Sequence, residues 1–291
     1  MSTTICKNND SKTRENEIRE YWTQERMDKA SPKVMPEVPD TPGDIELPPP
    51  KGPIATPPDA SISDSIPDIE LKVGLATKVT NPDKDPLKCN GKLYFTWKGE
   101  DWVGSAGAIL LEVLLTAGHN VFDEGEWSDN FYFYPAYPVN GQSWSWDRAA
   151  IFTAWQNAAD YAYDYAMLLT DSPMKDIGSV GVVRDLNPKG REWTAIGYPS
   201  EPPYDGGNMM ETTGNYVKGS TIITMDKNDM TQGSSGGVWL TKTDKGIFVN
   251  GVQSHRKSSE PSYAASPYMA DKDYKELIHC LQEGKCEENN N

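Results

Sequence analysis

Cysteine is scarce in this sequence, and long apolar runs are missing. Its four cysteines, at positions 6, 89, 280 and 286, are too few to hold a small domain together by disulfides. Only Cys280 and Cys286 lie close together along the chain. No apolar run approaches the roughly 18 residues that are needed to cross a bilayer. The sequence therefore argues against a small disulfide-rich domain and against a membrane-spanning helix.

Basic residues are also in short supply. The 28 Lys and Arg residues are outnumbered by 43 Asp and Glu residues, which gives a formal charge of −15. Nucleic acids and anionic membranes are bound through clustered Lys and Arg, so we expect neither as a partner. The first ten residues lack the apolar stretch of an ordinary signal peptide. We therefore expect a cytoplasmic location or export by a non-classical or effector route.

Proline is concentrated near the start of the chain. Ten of the 22 prolines lie between Pro32 and Pro58. Because proline fixes φ and lacks an N–H donor, this stretch predicts an extended linker rather than core. A modest helical pattern precedes it at residues 15–27. We expect residues 1–70 to be a proline-rich, poorly structured leader that could act as a propeptide or an export segment.

Short β-like runs separated by turn residues fill most of the remaining chain. They are rich in β-branched and aromatic residues, which is typical of an all-β barrel or sandwich. The runs cover residues 91–97, 108–115, 131–134, 165–169, 180–183, 193–197, 220–224, 237–240 and 246–252. Two other segments have a helical pattern, residues 149–161 and the C-terminal residues 271–282.

A candidate nucleophile lies in the run Gly233-Ser-Ser-Gly-Gly-Val-Trp. Small residues on both sides of Ser235 allow a tight turn that exposes its hydroxyl group. The same turn can direct the backbone N–H groups of Gly233 and Ser235 to one point, as an oxyanion hole requires. Runs of Gly and Ser also occur in ordinary turns, so this interpretation depends on a base and an acid elsewhere.

Only three histidines are available as the base. His119 follows an apolar run where a strand breaks into a turn, a position that suits either a catalytic base or an ordinary packed residue. His255 follows a strand and fits a pocket wall better than the base. His279 lies in the C-terminal helical segment, where we expect a structural role.

Two aspartates compete for the role of the acid that orients the base. Asp164 stands at the entry of the apolar run Tyr165-Ala-Met-Leu-Leu. An unpaired carboxylate at such a position is costly, so Asp164 should have a hydrogen-bonding partner. Asp160 is the alternative, but it lies in a more polar segment. We therefore favour Asp164.

The order His119, Asp164, Ser235 is the order found in chymotrypsin-like enzymes. Thr116-Ala-Gly-His, Asp164-Tyr-Ala-Met-Leu and Gly233-Ser-Ser-Gly-Gly resemble the three catalytic blocks of the trypsin-like serine proteases, the S1 family. The resemblance is nearest to the bacterial and fungal trypsin-like and V8-like glutamyl endopeptidases. Trp193-Thr-Ala-Ile-Gly-Tyr-Pro and Asp229-Met-Thr-Gln-Gly are similar to further blocks of that group.

The resemblance implies two six-stranded antiparallel β-barrels, a C-terminal helix and a catalytic cleft between the barrels. The protease domain would cover residues 71–285. Its first barrel would lie at about 91–172, its second barrel at about 178–270 and its helix at about 271–283.

The resemblance also implies an activity, that of a serine endopeptidase. Ser235 would be the nucleophile, His119 the general base and Asp164 the residue that orients the imidazole. Gly233 and Ser235 would form the oxyanion hole. We expect a peptide or protein substrate, a monomer, and neither a cofactor nor a metal. A non-proteolytic binding module of the same fold and a delivered effector or toxin protease are the alternatives.

Three positions depart from the family pattern. Many relatives have a cysteine directly after the histidine that is bonded to another fifteen residues earlier, but here these positions are Asn120 and Gly104. The residue before the nucleophile, often Asp in trypsin-like enzymes, is Ser234. The usual activation salt bridge to a new N-terminus therefore cannot form here.

The expected substrate pocket contains Asp229, Ser254 and His255. Asp229 lies six residues before Ser235, where trypsin carries the carboxylate that binds Lys or Arg. Glutamyl endopeptidases place a histidine at the position of Gln253, two residues before His255. We expect cleavage after Lys or Arg, with cleavage after Glu as the alternative.

Overall fold

The structure is a computed structural model that describes residues 3–9, 14–39, 52–58, 76–258 and 260–284. Its N-terminal elements are short. They are β1 (Thr4–Asn8), α1 (Arg14–Tyr21), α2 (Gln24–Lys29), β2 (Ser31–Pro32), β3 (Glu37–Val38), β4 (Ile54–Thr56) and β5 (Thr77–Lys78). Within the described residues, no helix is both long and apolar enough to cross a membrane.

The next part of the chain forms an antiparallel barrel. Its elements are β6 (Asn90–Trp97), β7 (Glu100–Leu110), β8 (Val113–Thr116), α3 (Gly118–Val121), β9 (Phe122–Asp123), β10 (Glu126–Trp127), β11 (Asp129–Pro135), β12 (Trp146–Phe152), α4 (Thr153–Ala158) and β13 (Ala166–Thr170). Six strands pair in the order β12-β13-β8-β7-β6-β11. A bridge between Phe133 and Trp144 closes the barrel.

A second antiparallel barrel follows. Its elements are β14 (Val182–Arg184), β15 (Glu192–Gly197), β16 (Met210–Gly219), β17 (Ile222–Met225), β18 (Val238–Thr243), β19 (Gly246–Val252), β20 (His255–Lys257), β21 (Glu260–Pro267) and α5 (Asp271–Glu283). Six strands pair in the order β21-β17-β16-β15-β18-β19. The Val252 N–H donates to Ser266 Oγ at 2.9 Å, which joins β19 to β21.

The predicted architecture of two six-stranded barrels and a C-terminal helix is confirmed. Helix α5 buries Tyr274, Leu277, Cys280 and Leu281, which are spaced by three and four residues on one face. It ends at Gly284, whose φ of 64° suits the left-handed cap position. Cys286, the cysteine nearest to Cys280 along the chain, lies outside the described residues.

The predicted helix over residues 149–161 is wrong in its first part. Residues 149–152 belong to β12, where they pair with β1 on one side, while 149 and 150 also pair with β13 on the other. Ala149, Ala150, Ile151 and Phe152 are all fully buried. Alanine favours helices, but burial between two neighbouring strands outweighs this local preference.

The N-terminal segment differs from the poorly structured leader that its composition predicts. Strand β1 pairs with β12 of the first barrel. Ile18, Trp22 and Met27 are buried against the barrels, and Trp22 Nε1 donates to the Asn130 carbonyl at 2.7 Å. Burial of these few apolar side chains contributes free energy that offsets the entropic cost of ordering an otherwise polar stretch. The proline-rich residues 40–51 lie outside the described residues.

Candidate active site

His119 and Asp164 meet in the first barrel. His119 lies in the single turn of α3 directly after β8, and Asp164 follows a 3₁₀ turn that leads into β13. His119 Nδ1 is 2.9 Å from Asp164 Oδ2 and 3.1 Å from Oδ1. Asp164 Oδ1 also accepts the backbone N–H of His119 at 2.8 Å. The carboxylate therefore holds both the ring and the backbone of this histidine.

Asp160, the competing acid, has a different position. Its side chain is exposed and accepts the Ala162 N–H at 3.0 Å, so it caps the 3₁₀ turn before Asp164. Asp164, by contrast, is completely buried. The structure therefore brings Asp164, and not Asp160, to His119.

Ser254 extends this hydrogen-bonded chain into the second barrel. Its Oγ donates to Asp164 Oδ2 at 2.6 Å and lies 2.8 Å from His255 Nδ1. Since the single hydroxyl proton of Ser254 is directed to Asp164, Ser254 Oγ must accept a hydrogen bond from the Nδ1–H of His255. Ser254 thus orients the acid, and its place in the substrate pocket stays a prediction.

His255 is a neutral core residue. It is fully buried, and its ring lies 4.8 Å from that of Tyr161. Burial, assisted by the charges of Lys257 and His119, lowers the pKa of His255 to about 3. The ring contacts Ser254 and Tyr161, and its place in the substrate pocket stays a prediction.

The loop that carries Ser235 joins the two barrels. Gly233 and Gly236 have φ values of 88° and 85°, which favour glycine. At Gly236, a Cβ atom would also collide with Thr116 Oγ1 and the Ser105 carbonyl. The glycine at position 236 is therefore required by the close approach of this loop to the first barrel.

Two residues of the first barrel hold the backbone of Ser235. The Ser105 N–H donates to the Ser235 carbonyl at 2.8 Å, and Asn120 Nδ2 donates to the same oxygen at 3.0 Å. Asn120 Nδ2 also reaches Thr116 Oγ1 at 3.0 Å. The missing Cβ of Gly104 leaves room for this amide, because a Cβ would lie 2.7 Å from Asn120 Nδ2.

Sequence reasoning missed this role of Asn120. The signal was present, since Asn120 and Gly104 occupy the two positions at which many relatives carry bonded cysteines. At position 120 the structure shows a hydrogen bond from the side-chain amide to the nucleophile loop.

Two polar atoms at the centre of the site make no hydrogen bond among the described residues. They are His119 Nε2 and Ser235 Oγ. Both residues are buried, with exposed fractions of 1% and 0%. Nucleophile–base bonds are often long in proteins without substrate, so this arrangement is compatible with a resting catalytic pair.

The side chains of Ser234 and Asp229 both form hydrogen bonds within the protein. Ser234 is buried, and its Oγ donates to the Thr231 carbonyl at 2.6 Å. Asp229 accepts the Tyr204 hydroxyl at 2.6 Å and the Ala76 N–H at 2.8 Å.

Gln253 occupies the position where glutamyl endopeptidases carry a histidine. Its Oε1 accepts Asn228 Nδ2 at 2.9 Å and Trp239 Nε1 at 3.0 Å. Its Nε2 lies 3.7 Å from the sulfur of Met35, so both ends of the Gln253 amide contact protein groups.

The fold of this protein is similar to the folds of solved serine proteases. No protein-family profile and no curated protein matches the chain. The protease Anisep from Arthrobacter nicotinovorans matches with a TM-score of 0.63 at 25% identity, over 72% of this chain and 100% of that chain. A thermostable serine protease from an extremophilic microorganism matches with a TM-score of 0.60 at 24% identity, over 67% and 97% of the two chains.

A Glu endopeptidase in complex with MPD matches as well, with a TM-score of 0.62 at 20% identity, over 74% of this chain and 100% of that chain. Together these likenesses show that the protein has the chymotrypsin-like two-barrel fold of bacterial serine proteases.

Proposed function

We propose that this protein is a serine endopeptidase. The observation that carries the proposal is the contact of His119 Nδ1 with the buried carboxylate of Asp164, together with the free His119 Nε2 and Ser235 Oγ. Activation of a serine requires a histidine that is held in place through one ring nitrogen and has its other ring nitrogen available to the hydroxyl group. The shared fold supports the same activity.

The reaction begins at Ser235. As Ser235 Oγ forms a bond to the carbonyl carbon of the substrate, His119 Nε2 takes the hydroxyl proton, and the carbonyl electron pair moves to the oxygen. The N–H groups of Gly233 and Ser235 stabilise that oxyanion. The C–N bond then breaks, and His119 returns the proton to the leaving amine. Water repeats the sequence on the acyl-enzyme and releases the second product.

Asp164 and Ser254 act on His119 and not on the substrate. Asp164 accepts a hydrogen bond from the Nδ1–H of His119, so the other ring nitrogen is the one available to the hydroxyl of Ser235. The carboxylate also stabilises the imidazolium that forms during attack. Ser254 donates to Asp164 Oδ2 and keeps the carboxylate in this orientation. No cofactor or metal takes part in these steps.

The proposal includes a domain and a substrate preference. Residues 71–285 would form the protease domain, preceded by a leader. Asp229 would select Lys or Arg before the cut, because a carboxylate in a narrow pocket forms a charge-assisted hydrogen bond with either side chain. Cleavage after Glu is the alternative.

Active-site labelling tests the proposed activity. A fluorophosphonate should add one phosphonyl group to the full-length protein, and mass spectrometry should locate it on Ser235. Ser235→Ala should abolish the label and lower peptide hydrolysis by roughly 10⁶-fold. Ser172→Ala, in a surface loop, is the control and should keep both. A correctly folded protein that is never labelled and never cleaves a peptide would instead be a binding module.

A further inference from the structure

Residues 31–38 run across the candidate active site and bridge the two barrels. We call these residues the strap. At its start, β2 pairs in parallel with Trp102 and Val103 of β7 in the first barrel. At its end, β3 pairs in parallel with Arg256 and Lys257 of β20 in the second barrel.

A carbonyl in the middle of the strap accepts a hydrogen bond from an N–H group that the proposed mechanism needs. The Gly233 N–H, an expected donor of the oxyanion hole, donates to the Lys33 carbonyl at 3.3 Å. Three residues later the Arg256 N–H donates to the Pro36 carbonyl at 2.9 Å. A substrate carbonyl cannot use the Gly233 N–H while Lys33 holds it. The strap and a substrate therefore exclude each other.

Two buried side chains anchor the strap. The Lys33 ammonium is 2.8 Å from Asp123 Oδ2 and 3.4 Å from the ring centre of Trp97, and Lys33 is only 3% exposed. Met35 is 4% exposed, and its sulfur lies 3.7 Å from Gln253 Nε2. An ion pair, a cation–π contact and apolar burial thus hold the strap at two positions that are two residues apart.

The strap does not lie in the cleft as a substrate would. In a substrate, the residue whose carbonyl enters the oxyanion hole is also the residue whose side chain enters the specificity pocket. Here the Lys33 carbonyl contacts Gly233, but the Lys33 side chain points to Asp123 and Trp97 instead of Asp229. The strap thus fills the cleft in a register that does not present its own peptide bond for cleavage.

From this arrangement we propose that residues 31–38 are an intramolecular inhibitor of the active site, which must leave the cleft before a substrate can bind. The inference rests on the proposed function, because an inhibitor requires an activity to inhibit. It gives the propeptide role that the sequence left open a specific segment and specific contacts. The protein would then be latent while the strap is bound, and the activity of the full-length chain would come from molecules whose strap has left the cleft.

Charge reversal at the buried anchor tests the proposal in the full-length chain. In Lys33→Glu, two carboxylates would face each other at Asp123, so the strap should leave the cleft. We expect fluorophosphonate labelling of Ser235 and peptide hydrolysis to become at least about tenfold faster. Lys29→Glu is the matched control. It makes the same charge change at an exposed residue of α2 outside the cleft, and it should leave both rates unchanged.

Amide hydrogen exchange reports on the strap without any need for activity. In Lys33→Glu, the Gly233 and Arg256 amides should lose protection, because their acceptors are strap carbonyls. A synthetic peptide of residues 30–39, added to the Lys33→Glu protein, should restore protection and slow hydrolysis, and a scrambled peptide should do neither. If Lys33→Glu fails to fold, Met35→Glu removes the second anchor and should give the same results.

The outcomes separate the two proposals. One outcome is that Lys33→Glu labels and hydrolyses at the same rates as the unchanged chain, while exchange at Gly233 becomes faster. That result overturns the proposal that the strap is an inhibitor. Unchanged exchange and unchanged rates overturn it as well. Faster exchange in a protein that is never labelled and never hydrolyses a peptide overturns the serine protease itself, and with it the inhibitor. Intact-mass analysis should show no cleavage after Lys33 in the latent protein.

Discussion

The side-chain amide of Asn120 donates to the backbone carbonyl of Ser235 at 3.0 Å. This hydrogen bond links the turn that carries the base to the loop that carries the nucleophile. The relative placement of His119 and Ser235 therefore depends on a polar contact between residues 115 positions apart.

Removal of this contact should impair catalysis more than stability. Asn120→Ala leaves the buried Ser235 carbonyl with the Ser105 N–H alone, and we expect kcat to fall about tenfold with KM nearly unchanged. The double variant Gly104→Cys/Asn120→Cys should not recover kcat when it is oxidised, because a disulfide between these two positions makes no hydrogen bond to the Ser235 carbonyl. Steady-state kinetics with and without dithiothreitol measure both effects. A normal kcat in Asn120→Ala would rule out this positioning role.

The acid assignment predicts a large difference between two neighbouring aspartates. Asp164→Asn should lower kcat by about 10⁴-fold, because the amide favours the wrong tautomer of His119. Asp160→Asn is the control, since Asp160 only caps an exposed turn, and it should keep nearly full activity. Single-turnover hydrolysis of an ester substrate measures both. The reverse ranking would show that Asp160 is the acid.

Burial of His255 should make the protein less stable in acid. Its folded-state pKa of about 3 lies below the ordinary value of 6.5, so between these values the unfolded chain binds more protons. Stability from this group is complete above pH 6.5 and is lost as the pH falls towards 3. His255→Gln should flatten the dependence of the unfolding free energy on pH in this window. The exposed His279→Gln should leave it unchanged.

Glu211 should make the folded protein less stable as the pH rises, which is the opposite of the effect of His255. Its Oε2 is buried without a hydrogen-bond partner among the described residues, and burial raises its pKa from 4.5 to about 7. The folded protein therefore binds more protons than the unfolded chain between these values, and stability falls as the pH rises through them. Glu211→Gln should raise the melting temperature at pH 8 more than at pH 4.

The matched control for this prediction is Glu192→Gln on the neighbouring strand β15. Glu192 is exposed, so the change should shift the melting temperature equally little at both pH values. Equal gains at pH 4 and pH 8 in Glu211→Gln would contradict the prediction, because they would point to packing rather than ionisation.

The substrate preference should depend on the charge of Asp229. Asp229→Asn preserves the volume and removes the carboxylate, so cleavage after Lys and Arg should fall by about 100-fold. A peptide library compared on Lys33→Glu and Lys33→Glu/Asp229→Asn proteins measures this with the strap displaced. Asp244→Asn, at an exposed turn, should change nothing. A profile dominated by cleavage after Glu, unaffected by Asp229→Asn, would favour the glutamyl alternative.

Local patterns were enough for much of the fold. The strands with β-branched and aromatic residues, and the helix with apolar residues three and four apart, follow from interactions between near neighbours. The run Gly233-Ser-Ser-Gly-Gly also carries its own conformational requirement, since two of its glycines have positive φ. These features are encoded within a few residues, so the sequence alone predicts them.

Tertiary contacts decided what local patterns left open. The choice of Asp164 over Asp160 required the position of His119, and the strand at residues 149–152 required neighbours on both sides. Ser254 became a partner of Asp164 only because the second barrel brings it there.

The placement of the strap depended most on the tertiary structure. By itself, the sequence determined that residues 31–38 are too rich in proline and polar groups to form a core of their own. Only the folded barrels supply the Gly233 N–H, the Asp123 carboxylate and the Gln253 amide that hold them. These partners lie 90 to 218 residues away along the chain, and hydrogen bonds over such separations leave no local pattern in a sequence.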